Sequence, residues 1–375
     1  MKRLLFIFYI LIFSNVYAGE VDNFYAWEKD IKDSYQLFNT YLNAKVQETL
    51  EMVNEDEGSL SESACEEVAL KIIDKLGTTW YLLYHSGDLN TDMELWAEKN
   101  PDIDRVPRFG KPMKTYYKQT IYAPRMKMFG VLPASIDVTI NVGGIYFGTD
   151  KISHFLGSGY EYYNIYLRTK EKTDSENQAH FKAIKWGIDM ENGLLGVGAV
   201  RVFSYSDLEA NYQGLLMTIG LCRSESPNII FDGSKWVLKK QIDFRDHVNP
   251  NWDETFNVST YTNGRLKKVR KNINKISLCD KQDNPWVKGQ LKRYAGMDEN
   301  YLEKGFLDTS LSIRILALSQ RYQFKKLPQD DFEKFAEKFH PGFNYHELKS
   351  FNEKLKLHNQ ELFTLKQLCM ELSVF

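Results

Sequence analysis

Five polar side chains between residues 154 and 211 are of the types that acid–base or metal chemistry requires. They are one imidazole, three carboxylates and one amide: His154, Glu161, Glu191, Asp207 and Asn211. An imidazole and carboxylates on one surface can bind a divalent cation or exchange protons with a substrate. In the catalytic hypothesis Glu191 or Glu161 is the general base. In the metal hypothesis the ligands are His154, Glu191 and Asp207.

Three predicted helices must position these side chains. They span residues 149 to about 168, residues 176 to 195, and a third segment that starts near Ser204 or Ser206. Steps of three and four residues place the polar side chains of each helix on one face, together with Gly157, Gly187 or Gly214. Because a glycine inside a helix costs about 0.5–1 kcal/mol relative to alanine, we expect the helices to approach closely along these faces.

Two interpretations of the polar cluster stay open. In the first it is structural, with Asp150 and Asp207 at helix starts that favour negative charge, and with Lys151 neutralising a carboxylate. In the second the cluster is a site for a divalent metal or for catalysis. The spacing from Asp150 through His154 to Glu161 is not a recognised metal signature. The sequence therefore leaves enzymatic activity open and indicates no cofactor other than a divalent metal.

The stretch from Asp150 to Ser158 reads Asp-Lys-Ile-Ser-His-Phe-Leu-Gly-Ser and resembles a segment of the YfiM-type envelope proteins of bacteria. Glu191 and the run from Ser204 to Gly214 are similar to a later segment of that family. The first block also has a looser similarity to VanZ-like membrane proteins. YfiM-type proteins are shorter and often lipid-modified, and VanZ-like proteins span membranes, whereas these helices carry too many charges to do so. The resemblance implies a bacterial envelope setting and no particular reaction.

Residues 1–18 have the pattern of a cleavable secretory signal peptide. Lys2 and Arg3 precede an apolar run from Leu4 to Phe13, which is shorter than the roughly 20 residues that cross a bilayer. Ala18 fits the small residue before a signal-peptidase site. We therefore expect an exported mature chain that begins at Gly19, either periplasmic or associated with the outer membrane.

Composition limits the classes of partner. Without residues 1–18 the chain has 357 residues, and its net charge changes from −2 to −4 because Lys2 and Arg3 are lost. The mature chain has no strong basic field, which argues against nucleic acid as a partner. We expect an envelope component or a protein partner, and no transmembrane span in the mature chain.

Four cysteines, Cys65, Cys222, Cys279 and Cys369, lie in the exported part. Their long, irregular spacing argues against a zinc or redox motif. Disulfides can persist outside the cytoplasm, but the sequence selects none of the three pairings, and free buried thiols are an equal alternative.

The remaining patterns predict a mainly α-helical fold with a helical core and a small β element. An N-terminal helical region, residues 19–99, includes a helix or helix pair over 22–54 and a helix that follows a Ser63/Glu66 capping box and ends at Gly77. This region is predicted to form one integrated domain with residues 100–375. A period of two predicts a strand near 135–146, and Asp232-Gly233 predicts a hairpin near 229–238. Residues 100–133 are predicted to be an irregular connector without its own core, and residues 302–375 to be helical.

Two further segments have two interpretations each. Residues 243–254 are dense in titratable and aromatic residues and are either a solvated loop or one wall of a cleft. The basic run 265–271 is either a solvated helix face or a peripheral contact with anionic lipid. The leading hypothesis is an exported envelope protein with a structural or interaction role. The alternative is a metal-dependent hydrolase that acts on an envelope substrate.

Overall fold

The computed structural model describes residues 19–303 except 57, 59, 78, 82–83, 87–91, 112, 124–125 and 194, together with residues 368 and 369. The fold is mainly α-helical with small β elements, as the sequence predicts. The α-helices are α1 (Tyr35–Asn54), α2 (Cys65–Leu76), α3 (Met93–Lys99), α4 (Met113–Tyr116), α5 (Asp150–Ser153), α6 (Gly159–Thr173), α7 (Glu176–Asn192), α8 (Tyr205–Cys222), α9 (Asn263–Lys275) and α10 (Pro285–Glu303). The predicted signal peptide and most of the predicted C-terminal helical region lie outside the described residues.

The β elements are short, and their sheets have two or three strands. The strands are β1 (Glu20–Val21), β2 (Thr79–Tyr81), β3 (Tyr84–Ser86), β4 (Arg105–Val106), β5 (Lys127–Met128), β6 (Leu132–Pro133), β7 (Ile136–Asp137), β8 (Thr139–Val142), β9 (Ile145–Gly148), β10 (Val202–Phe203), β11 (Ile229–Phe231), β12 (Trp236–Leu238) and β13 (Thr260–Tyr261). β4, β8 and β9 form an antiparallel sheet, and β1 pairs in parallel with β7.

The helix or helix pair predicted over 22–54 is a single α-helix that begins only at Tyr35. A 3-10 turn, Asn23–Ala26, comes first, and Glu28 then adopts a left-handed conformation with φ 62°. α1 follows and buries five apolar side chains at steps of three and four: Phe38, Leu42, Val46, Leu50 and Val53. These side chains form a core with α2 and with α5 to α8.

α2 ends at Leu76, before Gly77, as predicted, but its start differs from the prediction. A 3-10 turn, Glu62–Ala64, precedes the helix, and the Ser61 side chain accepts a hydrogen bond from the Ser63 amide. The prediction of a Ser63/Glu66 capping box is therefore wrong.

The predicted strand near 135–146 divides into β7 and β8. The chain then reverses at Gly143 and Gly144, whose φ angles of 64° and 84° suit glycine, and returns as β9. The hairpin near 229–238 is confirmed as β11 and β12, with Gly233 at φ 98°.

Residues 116–123 and 126–128 contribute to a second core. Tyr116, Ile121, Tyr122 and Met126 are buried there against Val269 and Ile273 of α9. The expectation of a connector without a core is therefore wrong for these residues.

All four cysteines pair. Cys65 of α2 joins Cys222 at the end of α8, and Cys279 joins Cys369. The first disulfide fixes α8, one wall of the candidate site, to the N-terminal helical region.

Candidate functional site

The first site helix contains a π-helical turn. α5 continues through the π-helical residues His154–Ser158 into α6 without a break in the chain of helical residues. The predicted helix is confirmed in position, but the π turn was not predicted. Such turns hold one extra residue per turn and are frequent at functional sites.

Two glycines bring α8 against this turn. A Cβ atom built on Gly214 would lie 1.8 Å from the carbonyl oxygen of Phe155, and one on Gly159 would lie 2.9 Å from Gly214 Cα. The close approach predicted at Gly214 is confirmed. Gly187 of α7 packs instead against a side chain, since its Cβ would lie 1.7 Å from the Tyr162 hydroxyl.

Lys151 lies at the centre of the site. Its Nζ atom is 2.6 Å from Oδ2 of Asp150, 2.7 Å from Oδ1 of Asp207 and 3.0 Å from Oε1 of Glu254. The side chain is fully buried. Burial alone would lower the pKa of Lys151, but the three carboxylates raise it well above its usual value. The ammonium group is therefore charged and fully engaged.

His154 uses both ring nitrogens inside the protein. Nε2 is 3.1 Å from Oδ2 of Asp207. The Asn211 amide nitrogen faces two carbonyl oxygens, those of Asp207 at 2.9 Å and His154 at 3.2 Å, and also lies 3.0 Å from Nδ1. The two N–H groups of Asn211 therefore point to these three acceptors, so that Nδ1 accepts and the Nε2 proton is directed to Asp207.

Opposing influences act on the protonation of this pair. Burial would lower the pKa of His154, but the charge and hydrogen bond of Asp207 raise that pKa to about 9. The Asn211 amide acts in the other direction, because its N–H group faces Nδ1 and opposes a second proton there. Burial would raise the pKa of Asp207, but His154 and Lys151 hold it well below its usual range. Asp207 therefore stays ionised at neutral pH.

Ser204 links the remaining carboxylates. It caps α8, where its hydroxyl accepts a hydrogen bond from the Asp207 amide. The same hydroxyl lies 2.8 Å from Oδ1 of Asp207 and 3.2 Å from Oε1 of Glu254, and the Ser204 amide donates to Glu191 at 2.8 Å. Burial and the negative charge of Asp207 raise the pKa of Glu191 to about 8. Burial and the negative charge of Asp207 also raise the pKa of Glu254 to about 8, although the positive charge of Lys151 acts to lower it.

The structure joins four of the five sequence-predicted residues. His154, Asp207 and Asn211 are in direct contact, and Glu191 reaches them through Ser204. Glu161 is half-buried on α6, after the π turn, and its proposed role stays a prediction.

Lys151 and Glu254 are more central to the cluster than the sequence pattern predicts. Glu254 belongs to residues 243–254, for which a solvated loop was one of the two interpretations. That interpretation holds for Arg245 and Asp246, which are exposed, but is wrong for Asp253 and Glu254, which are 1% and 3% exposed. The density of titratable residues in this segment was the available signal.

A divalent metal would need the space that Lys151 occupies. Oxygen atoms of Asp150, Asp207 and Glu254 lie within 4.8 Å of one another, so these three groups could hold a metal ion. Carboxylate oxygens suit hard cations such as Mg²⁺ or Ca²⁺. Because the Lys151 ammonium already contacts all three carboxylates, the set fits a metal only if Lys151 moves away.

Two surface depressions of the described chain lie away from the cluster. One depression, of about 390 Å³, is lined by residues of α1 and α2, and another, of about 420 Å³, by residues of α6 and α7. Neither is lined by a residue of the Lys151 cluster. The exposed fraction of the His154 side chain is only 15%.

The comparisons with known proteins leave the chain without an assigned relative. No protein-family model matches it, and no match was found among the curated proteins or the solved structures. The resemblance to YfiM-type and VanZ-like proteins therefore stays a prediction. Within the part of the chain that the structure describes, no helix combines the length and apolar character needed to cross a bilayer.

Proposed function

We propose that the protein is exported to the bacterial cell envelope and has an interaction role there, in which it attaches to an anionic membrane surface. The signal-peptide pattern of residues 1–18 supports export. The two disulfides are compatible with an oxidising location.

The observation that carries the attachment is the charge of α9. Its sequence contains six basic residues and no acidic one. Four lysines on it are exposed: Lys267, Lys268, Lys271 and Lys275. The opposite face is anchored in the second core by Val269 and Ile273. A helix held in this way presents a fixed positive surface, and each Lys or Arg near an anionic bilayer contributes about 1 kcal/mol.

The hairpin tip between β5 and β6 adds apolar side chains beside this surface. Phe129 is 41% exposed and Val131 is 72% exposed. The Phe129 amide donates to the Ala199 carbonyl at 2.8 Å, and the Arg265 guanidinium donates to the next carbonyl, that of Val200, at 3.0 Å. The tip and α9 therefore adjoin each other. Basic residues next to exposed apolar ones favour the interfacial region of an anionic bilayer.

The geometry of the Lys151 cluster favours a structural role for the buried polar site. A general acid or base needs a proton-transfer atom within reach of a substrate. Both nitrogens of His154 are engaged by Asp207 and Asn211, and Lys151 is enclosed by carboxylates. These contacts support the interaction role over hydrolysis.

The test is co-sedimentation of the mature protein with vesicles of phosphatidylcholine, with and without phosphatidylglycerol. We expect binding only to the anionic vesicles, weakened by salt. The triple variant Lys267→Glu/Lys268→Glu/Lys271→Glu should lose at least about tenfold in affinity, since three reversed charges outweigh the 1.4 kcal/mol of one decade. The control is Lys239→Glu/Lys240→Glu, which changes exposed lysines after β12. Equal binding to both vesicle types, or unchanged binding by the triple variant, would refute the proposal.

The second candidate remains a metal-dependent hydrolase acting on an envelope substrate. It is favoured by the three carboxylates of Asp150, Asp207 and Glu254, whose oxygens lie within 4.8 Å of one another. Elemental analysis of the purified protein beside Asp207→Asn and Glu254→Gln separates the two functions. A stoichiometric divalent metal in the wild type that both variants lose would favour the hydrolase.

A further inference from the structure

The chain at the predicted cleavage point is built into the fold. Glu20 and Val21 form β1, pair with β7 and are 2% and 0% exposed. Gly19 packs directly on a carboxylate of β7, because a Cβ atom on it would lie 1.8 Å from Oδ2 and 2.9 Å from Oδ1 of Asp137. With a Cα–Cβ bond of about 1.5 Å and an N–Cα bond of similar length, the Gly19 nitrogen lies within about 5 Å of Oδ2.

Buried carboxylates are concentrated around β1 and its partner strand β7. Asp137 is 5% exposed, Asp150 is 4% exposed and Glu20 is 2% exposed. A Cβ atom on Gly148 would touch both Asp150 Oδ1 and the Val21 side chain, so Asp150 borders β1 as well. Burial, Asp150 and then Glu98 raise the pKa of Asp137 well above its usual value. Several buried negative charges in such a small region are costly unless cations compensate them.

The cations packed here are already engaged. Lys151 is shared by Asp150, Asp207 and Glu254. Arg105, near Glu98, directs its guanidinium to the backbone carbonyls of Ala97, Glu98, Asn100 and Ile103. Asp150 Oδ1 and Glu20 Oε2 are buried and have no hydrogen-bond partner. Two buried carboxylate oxygens beside β1 thus lack a hydrogen-bond partner among the described residues.

Signal-peptide cleavage would create that partner. A signal peptidase hydrolyses the amide bond between Ala18 and Gly19: water supplies a hydroxyl to the Ala18 carbonyl carbon, and its proton goes to the Gly19 nitrogen. The new α-amino group, with an ordinary pKa near 7.7–8.0, takes up a further proton from solvent at neutral pH.

We propose that the α-ammonium group of Gly19, released by cleavage after Ala18, is the counter-ion of Asp137 and its neighbouring buried carboxylates, so that maturation completes the native fold. Before cleavage the same nitrogen is a neutral amide. The folded precursor is then less stable than the folded mature protein. This inference rests on the proposed export, but not on membrane attachment.

The first measurement is the N-terminal sequence of the protein recovered from the envelope fraction, and we expect it to begin at Gly19. A mature chain that begins at another residue would overturn the proposal. This result is independent of vesicle binding, so failure of the attachment proposal and failure of this one are distinguishable.

The second measurement compares the purified chain beginning at Gly19 with the same chain acetylated enzymatically at its α-amino group. Acetylation removes the charge and leaves every side chain unchanged. We expect the thermal midpoint to fall by about 5 °C or more, a large shift for a chain of this size. In the Asp137→Asn variant, acetylation should lower the thermal midpoint much less, because the ion pair is already absent. If the acetyl group acts only through its size, the fall should be the same in this variant. No loss on acetylation, or an equal loss in both backgrounds, would refute the counter-ion role.

If Asp137→Asn does not fold, the pKa of the α-amino group in the wild-type chain decides the question. NMR of the protein methylated at its amino groups with ¹³C-formaldehyde reports that titration. An ion pair with Asp137 predicts a pKa above the ordinary range, and an ordinary value would refute the proposal.

Discussion

The Nζ atom of Lys151 lies 2.7 Å from Oδ1 of Asp207, and the two side chains are 0% and 5% exposed. Asp207 also accepts a hydrogen bond from His154. One carboxylate at the start of α8 therefore ties the beginning of the α5–α6 helix to α8 through two contacts.

Replacement of Lys151 by methionine should strongly destabilise the protein. It would leave Asp150, Asp207 and Glu254 buried together without the ammonium, and removing one partner of a buried ion pair costs about 3–5 kcal/mol. Urea unfolding measures the loss, and Lys267→Met, at an exposed lysine of α9, is the matched control. A loss no larger than that of the control would show that the ammonium group is not required.

Gly214→Ala should destabilise the helix contact. Its Cβ atom would lie 1.8 Å from the carbonyl oxygen of Phe155, so α8 must move, at about 1–3 kcal/mol for overpacking. Gly289→Ala, in α10 with nothing within 4 Å of the new methyl group, should instead stabilise by about 0.5–1 kcal/mol. Equal effects of the two substitutions on the free energy of unfolding would contradict the close approach.

The free energy of unfolding should fall as the pH rises above 4.5, the usual pKa of a glutamate carboxyl. The pKa of Glu191 is raised to about 8 in the folded protein, from a usual 4.5. Between these values the folded state binds the proton and the unfolded state does not, so the free energy of unfolding decreases with rising pH. The slope for this group is at most about 1.4 kcal/mol for each pH unit.

Glu191→Gln tests this dependence, because glutamine still accepts a hydrogen bond from the Ser204 amide but does not ionise. We expect a shallower decline between pH 5 and 8, measured by urea unfolding at several pH values. Glu171→Gln, at an exposed position, should leave the decline unchanged. Parallel declines in wild type and Glu191→Gln would show that Glu191 does not titrate in this range.

The oxidised protein should contain no free thiol. All four cysteines are paired, as Cys65–Cys222 and Cys279–Cys369. Thiol titration of the denatured protein from the envelope should find no free thiol. After reduction, the same titration should find four thiols per chain. Loss of the first disulfide through Cys65→Ser/Cys222→Ser should cost about 2–5 kcal/mol. Free thiols in the exported protein would contradict the pairing.

Local signals in the sequence predicted the elements of the fold well. The end of α2 at Gly77, the β11–β12 hairpin at Asp232-Gly233 and the start of α8 behind Ser204 each depend on a few neighbouring residues. Such signals do not require knowledge of the tertiary structure. The pairing of His154 with Asp207 was also expected, because helix periodicity places both on faces that carry glycines.

Long-range features could not be predicted in the same way. Lysine is rarely buried, and Lys151 is buried here only because Asp207 and Glu254 come from distant parts of the chain. Glu254 lies in a segment whose turns and charges are typical of the surface, yet Trp252, Asp253 and Glu254 are packed inside. The choice among cysteine pairings likewise depends on which helices meet.

The π-helical turn His154–Ser158 has a consequence for how this chain tolerates length changes. A π turn accommodates one residue more than a regular turn inside an otherwise α-helical run. Deletion of one codon within the turn would restore a regular helix, so the Phe155 carbonyl would no longer lie where it meets Gly214 of α8. Point substitutions on the exposed side of α6 leave this turn intact. Insertions and deletions should therefore be rarer at this turn than in the surface loops, although both are short stretches of irregular backbone.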